Sequence, residues 1–242
     1  MNAFINASGA MAALLVPATA HAEVLPDDRT PQWTVEANTA FPIRIGADAS
    51  AEWTRARIRV STGLGWLPGA YIDAINGVAQ AAGWYDGRTA SLIEAGLQHS
   101  TVWPLSVHWR PIAQRGLTLS TGTQLAALGG GLGAVDVLSA LTASPAPEGV
   151  EAGRTMTIDS SLWMMTAGVG WSWQWDSVVV RADIGGAFTV GSSTTVAPNW
   201  TPPRRTQRAV DALAGASESY LDETYRRYVH TGTVHVSVGW AP

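Results

Sequence analysis

Between Trp33 and Trp53 the odd positions read Trp33, Val35, Ala37, Thr39, Phe41, Ile43, Ile45, Ala47, Ala49, Ala51 and Trp53. The even positions include Glu36, Asn38, Arg44, Gly46, Asp48, Ser50 and Glu52. Strict alternation puts one set on each face of a strand. The next stretch inverts the parity. Ala56, Ile58, Val60, Thr62, Leu64 and Trp66 are largely apolar, and Arg57, Arg59, Ser61, Gly63 and Gly65 are polar or small. Joined at Thr54-Arg55, the two runs predict a β-hairpin. A two-residue turn would set Trp53 opposite Ala56, Glu52 opposite Arg57 and Ser50 opposite Arg59, bringing unlike charges together on one face.

The same grammar recurs. Trp163, Met165, Ala167, Val169, Trp171, Trp173 and Trp175 share a face; beyond Asp176-Ser177, the residues Val178, Val180, Ala182, Ile184, Gly186, Phe188 and Val190 share the matching one. A two-residue turn would pair Ser172 with Arg181 and Gly170 with Asp183. A third hairpin runs through Trp103, Leu105, Val107 and Trp109, turns near 111–116, and returns through Leu117, Leu119, Thr121, Thr123 and Leu125. The last strand covers Val229–Trp240, with Val234, Val236, Val238 and Trp240 on one face.

The two faces differ in kind. One is aliphatic and aromatic, with indoles at its ends: Trp53, Trp66, Trp103, Trp109, Trp163, Trp171, Trp173, Trp175 and Trp240. The other is Gly, Ser and Thr with scattered charge: Arg44, Asp48, Glu52, Arg57, Arg59, His108, Arg110, Asp159, Arg181, Asp183 and His235. A soluble barrel turns its apolar face inward. A bulky apolar face opposite a face of small polar residues instead predicts lipid outside and a crowded lumen inside. Trp163 and Trp173 are separated by about 33 Å of strand, or roughly 25 Å of height at a tilt near 40°, the apolar band of a membrane barrel. The indoles then form an aromatic girdle, and the polar set fills the lumen as ion pairs and hydrogen bonds, as buried charge requires.

The expected fold is therefore an all-β membrane barrel, an antiparallel up-and-down β-barrel of about eight strands with helical insertions between hairpins. The runs above count seven. An eighth comes from splitting Trp33–Trp53 near Phe41-Pro42, or from a strand within Gly131–Leu141. An eight-stranded lumen is filled by side chains and is no general pore. The helical connections lie at about 68–97 and 204–228. A stripe of Tyr71, Ile72, Ile75, Val78, Ala79 and Ala82 opens after Pro68, and Asp86–Leu97 reads as a second helix. In Pro202–Tyr228, Val210, Leu213, Leu221, Tyr225 and Tyr228 form one stripe. Gly129–Ala143 reads as turn plus helix and Ser144–Gly153 as loop.

Composition supports this picture. The 242 residues are 46% hydrophobic and 14% charged, and the mean hydropathy is +0.07. Past the N-terminus no apolar run reaches the length of a spanning helix, about 18 residues. The net charge is −4 and there is no basic patch, so nucleic acid is not an expected partner. All basic residues are arginine, and cysteine is absent, which excludes disulfides and thiolate metal sites. Residues 1–22 look like an export signal: Met11–Ala20 is a short apolar core and Ala20-His21-Ala22 fits the A-x-A cleavage pattern. No Arg or Lys precedes that core, and the alternative is a buried N-terminal helix. Residues 23–242 would form the barrel domain.

Catalytic motifs are missing: no H-E-x-x-H, G-x-S-x-G or phosphate-binding G-x-x-x-x-G-K-[ST] occurs. Gly129-Gly130-Gly131-Leu132-Gly133 mimics a dinucleotide loop without the parallel α/β setting it needs. His99-Ser100 and His230 sit near strand ends, where a lipid hydrolase would hold a pair, but nothing brings Glu94 or Asp159 to orient the imidazole. No enzyme activity, cofactor or metal is expected.

The exported start, the paired hairpins and the strand VHVSVGW resemble bacterial outer-membrane β-barrel proteins. The segments STGLGWLPGAYIDAIN, SVHWRPIAQRGL and YLDETYRRYVHTGTVHVSVGW are similar to those of barrels from Gram-negative, myxobacteria-like envelopes. The resemblance implies outer-membrane lipid and the barrel-insertion machinery as partners, and no activity or catalytic residues. Such chains often end on an aromatic residue; here Ala241-Pro242 follow Trp240. Four functions fit: a structural or interaction barrel, a narrow barrel passing or binding a small solute, a lipid-modifying enzyme, and a soluble periplasmic ligand-binding barrel.

Overall fold

The computed structural model describes residues 31–242 apart from 82, 84–86, 88, 89, 91–93, 95, 96, 98, 113–115 and 134–154. The proposed export signal lies outside the described residues, as does most of the predicted second helix. Eight strands are present: β1 (Gln32–Phe41), β2 (Arg44–Trp53), β3 (Ile58–Trp66), β4 (His99–Trp109), β5 (Leu117–Gly133), β6 (Thr155–Trp175), β7 (Val178–Pro198) and β8 (His230–Trp240). They form a closed barrel in sequence order. Every neighbour is antiparallel, and β1 and β8 close the ring from Val35↔Trp240 to Phe41↔Val234.

The long alternation of 33–53 breaks at Phe41-Pro42, because proline has no N–H for a central ladder. Ile43 N–H donates to Ala40 O at 2.6 Å and turns the chain. At the 176–177 turn the register is the one the sequence implies, with Ser172↔Arg181 and Gly170↔Asp183. The β2–β3 turn is wider than expected. Trp53 pairs with Ile58 and Glu52 with Arg59, so 54–57 form a four-residue loop. Arg57 N–H donates to Thr54 O at 3.2 Å, and Arg57 adopts φ 56°. Two- and four-residue loops both preserve parity, so alternation alone cannot distinguish them.

The wall is uneven. β1, β2 and β3 have 10, 10 and 9 residues, whereas β6 and β7 have 21 each. The stretch Gly129–Gly133, expected as a turn, prolongs β5 alongside Thr155–Asp159 of β6. In this taller part the polarity inverts. Met156, Ile158, Leu162 and Met164 face inward and are buried, while Thr157, Asp159 and Ser161 are exposed. A bulge at Val190, between Trp163↔Gly191 and Met164↔Thr189, flips the parity of β7, so that Thr194 and Val196 become the buried positions.

Among the described residues, two helices meet this apolar upper interior. Helix α1 (Gly69–Ala81) buries Ile72 and rests Tyr71 on the rim. Its ring meets Phe41 edge-on at 4.9 Å and its hydroxyl hydrogen-bonds Thr39 Oγ1 at 2.5 Å. Helix α2 (Arg204–Tyr228) buries Ala214, Ser217, Leu221, Thr224 and Tyr225, one stripe at helical spacing. It also covers the edge of β7 above the last β7–β8 pair, Phe188↔His230. Glu218 Oε1 accepts the Val196 N–H at 2.9 Å, Asp222 Oδ1 accepts from Thr194 Oγ1 at 2.9 Å, and Asp222 O accepts from Ser192 Oγ at 3.1 Å. The Val196 N–H, an edge group that would otherwise invite another strand, is thereby satisfied. Burial pushes the Tyr225 phenol above its ordinary pKa, which keeps it neutral in this core. Truncation by Leu221→Ala is expected to weaken the docking of α2 by about 2–5 kcal/mol. The check is trypsin cleavage at exposed Arg226 and Arg227, which should accelerate while the strands stay protected.

Candidate functional site: the barrel lumen

Glycine and serine positions on facing strands leave room inside the ring for long charged side chains. Among the described residues, the buried charged groups of the lumen are Glu36, Arg44, Asp48, Arg59, Arg181 and Asp183. Three guanidinium groups are thus matched by three carboxylates. Each carboxylate sits directly across from a glycine on the neighbouring strand: Glu36↔Gly239, Asp48↔Gly63 and Asp183↔Gly170. A Cβ at Gly63 or Gly170 would fall 2.0 Å from the Oδ1 of Asp48 or Asp183, and one at Gly239 would fall 2.5 Å from Glu36 Cγ. The glycines are therefore the seats into which the acidic side chains fold.

Glu36 is the hub. Its carboxylate accepts from Ser50 Oγ at 3.1 Å and from Ser237 Oγ at 2.5 Å. It pairs with Arg181, and Arg59 approaches to 3.9 Å. Arg44 grips Asp48 with both terminal nitrogens, at 3.0 and 2.7 Å, the strong two-point geometry of this ion pair. Asp183 contacts His235 Nδ1 at 3.2 Å and accepts from Thr118 Oγ1 at 3.4 Å. His108 Nε2 lies 3.1 Å from Ser106 Oγ and 3.3 Å from Ser61 Oγ. At the short-turn end Arg110 pairs with Glu52.

This network leaves little space. The cavity among Glu36, Arg44, His108 and Asp183 holds about 80 Å³. A second, between Glu52, Arg110 and Arg181, holds about 10 Å³. Both are small beside a small-molecule site of about 300 Å³ or more, so the side chains act as a plug.

The structure places the residues singled out from sequence as follows. Arg44, Asp48, Arg59, His108, Arg181, Asp183 and His235 lie inside the ring, and Glu52 and Arg110 at its lower rim. Arg57 is exposed in the wider turn; it borders the small lower cavity beside Glu52 and Arg110 and donates to Pro111 O at 3.3 Å. Asp159 also faces outward, because it shares the odd parity of Trp163 and the other exposed positions of β6. Glu36 is legible in the sequence only as an even-numbered polar residue; its partners belong to strands at the far end of the chain. The indoles divide between two rings. Trp53, Trp109, Trp175 and Trp240 are exposed near the short turns, and Trp66, Trp103 and Trp163 toward the helical end. Trp171 and Trp173 are only half-buried; the Trp171 ring edge lies over Gly116, where a Cβ would come within 2.6 Å of Nε1. Between the rings the outward positions are aliphatic, among them Val107, Leu119, Val169, Ile184 and Val236.

The hydrolase constellation is not assembled. His99 begins β4 and His230 begins β8, on opposite sides of the eight-membered ring. Ser100 Oγ is engaged with the Leu67 backbone, accepting from its N–H at 2.8 Å. His99 and Asp159 flank Gly129 on the outer wall, with Ser100 on the opposite face. Among the described residues no group of three His, Asp or Glu is placed to hold a metal.

No family model and no curated protein matches this chain. Solved structures do. The chain is similar to CarO of Acinetobacter baumannii, with TM-score 0.39 and 11% identity over 90% of this chain and 100% of that one. It is similar to the N-terminal β-barrel domain of Pseudomonas aeruginosa OprF, with TM-score 0.38 and 9% identity over 87% and 98%. It is also similar to a major outer membrane protein from Thermus thermophilus, with TM-score 0.45 and 13% identity over 87% and 98%. The closed eight-strand order itself rests on this chain's own ladders.

Proposed function

We propose that this chain is a bacterial outer-membrane β-barrel with a structural or interaction role, exported by cleavage near Ala22, with no catalytic activity and no open pore. One observation carries this reading: an aliphatic outer wall bounded above and below by exposed tryptophans encloses a charged interior. In water, that wall would expose far more contiguous apolar surface than a soluble monomer tolerates. In lipid it is the matched surface, and closure of the ring pairs the strands with one another through the apolar band. Among the described residues no helix is long and apolar enough to cross a membrane, so the strands supply the span. With short turns facing the periplasm, the start of β1 and the end of β8 also lie there, and α1 and α2 cap the outer mouth. The plugged lumen favours this role over a solute path.

The test is a heat-modifiability gel combined with membrane fractionation. The unboiled protein is expected to run as a compact band that shifts on boiling, and to co-sediment with outer membranes. In planar bilayers it should conduct no more than a protein-free membrane. A soluble periplasmic protein with no shift would overturn the reading, and steady single-channel openings would overturn the closed lumen.

A further inference from the structure

The wall has a notch. The β1–β8 ladder stops at Phe41↔Val234, yet β8 continues upward to His230, paired only with β7. Four residues of β8, His230 to Thr233, thus face no strand on the β1 side. Behind the notch lies an apolar chamber of about 390 Å³. Deep inside it are Val102, Leu162, Met164 and Tyr225, each 4% exposed or less. At its mouth are Phe41, Val78, His230 and Gly232, all exposed. The chamber therefore runs from the outer surface at the upper indole ring into the centre of the barrel.

We infer that this chamber binds the hydrocarbon tail of a free single-chain amphiphile, such as a fatty acid, entering sideways through the notch. The inference rests on the membrane-barrel reading. Apolar cavities exclude water, and an empty one forfeits contacts on every wall, so the complementary occupant is itself apolar. The volume lies in the range of small-molecule sites and is more than twice the roughly 150 Å³ that admits benzene. It suits one chain rather than a two-chain lipid. The hydroxyls of Thr224 and Tyr225 are the buried polar groups of its lining. Polar groups also stand at the mouth, where His230 Nδ1 accepts the Thr189 N–H at 3.3 Å and Thr231 lines the chamber. That level is the upper edge of the apolar band, where an amphiphile keeps its head in water and its tail in hydrocarbon.

The test uses the full chain in phospholipid nanodiscs and two photoactivatable probes: dodecanoic acid with a terminal diazirine, and a phospholipid bearing the same chain. The free acid is expected to label Val102, Leu162 and Met164, which line the chamber, and unlabelled dodecanoate to compete. Two variants should each lower this label at least tenfold. Met164→Trp fills the chamber; Gly232→Phe closes the notch from outside, where a Cβ meets nothing nearer than 3.9 Å. Label confined to outward-facing residues, label unchanged in both variants, or interior label from the phospholipid alone would each overturn the assignment. Each sample is first run unboiled and boiled. A shifting barrel without interior label loses the ligand site and keeps the membrane reading. A chain that does not shift loses both.

Discussion

Replacing Glu36 by alanine is expected to destabilise the folded barrel by about 3–5 kcal/mol, the cost of stranding buried charge. Arg59 and Arg181 both point at this carboxylate, and both are buried. Glu52 stands opposite Arg59 and borders the same small cavity as both arginines, but it is paired with Arg110; the other groups around them include serine, threonine and histidine, which carry no negative charge. Glu36→Gln keeps most of the volume and the contacts to Ser50 and Ser237, and should cost nearly as much, because what is lost is the charge. The measurement is the urea midpoint at which the unboiled compact band converts to the slow one. A midpoint unmoved by both variants would mean that the guanidinium groups draw their compensation from Asp48 and Asp183 instead, and that the hub is spread over the network.

The second large effect is expected at Gly170. A methyl there would stand 2.0 Å from Asp183 Oδ1 and 2.4 Å from Cγ, so Gly170→Ala must push the carboxylate off its seat. Asp183 would then lose His235 and Thr118 together, leaving a buried carboxylate short of partners. A loss of about 2–4 kcal/mol follows, from overpacking and broken polar contacts. A second contact, to Ala182 O at 2.6 Å, is also too close, and a double-mutant cycle separates the two. In an Asp183→Ala background the same Gly170→Ala change should cost clearly less, keeping only the part that the backbone contact contributes. Equal costs in the two backgrounds would place the whole strain against Ala182 O and none of it in the carboxylate.

Much of this architecture is written in parity. The faces of β2, β6 and β7, the 176–177 turn with its Gly170–Asp183 pairing, and the break at Pro42 follow from a period of two and from proline chemistry. The errors have equally local causes. Parity assigns Arg57 to the lumen because a loop of two and a loop of four keep the same faces. Parity places Asp159 outside, on the face of Trp163; it is assigned to the lumen only when its charge is allowed to override its position. The stretch 155–163 does carry the opposite signal, with Met156, Ile158 and Leu162 alternating with Thr157, Asp159 and Ser161; it marks the point where the strand leaves the apolar band. Glu36 cannot be identified as the hub from sequence, because nothing local pairs β1 with β8. The apolar chamber is equally hidden, since it depends on one ladder ending before its neighbour.

That same closing ladder has a kinetic side. Glu36 and Ser237 are 201 residues apart, and Arg181 reaches Glu36 only once the sheet has curled round to meet its own first strand. Until then the carboxylate is hydrated and costs nothing. When the last strand zips, one step completes the backbone ring, buries the charge and supplies its partners. Contacts so distant along the chain are slow to form, and half of them is worth less than none, because a carboxylate buried beside one arginine leaves the other stranded. The seam between the first and last strands therefore acts as a latch. It is open for most of assembly and commits late, so a chain lacking β8 is expected to accumulate as an unsealed sheet and not as a smaller barrel.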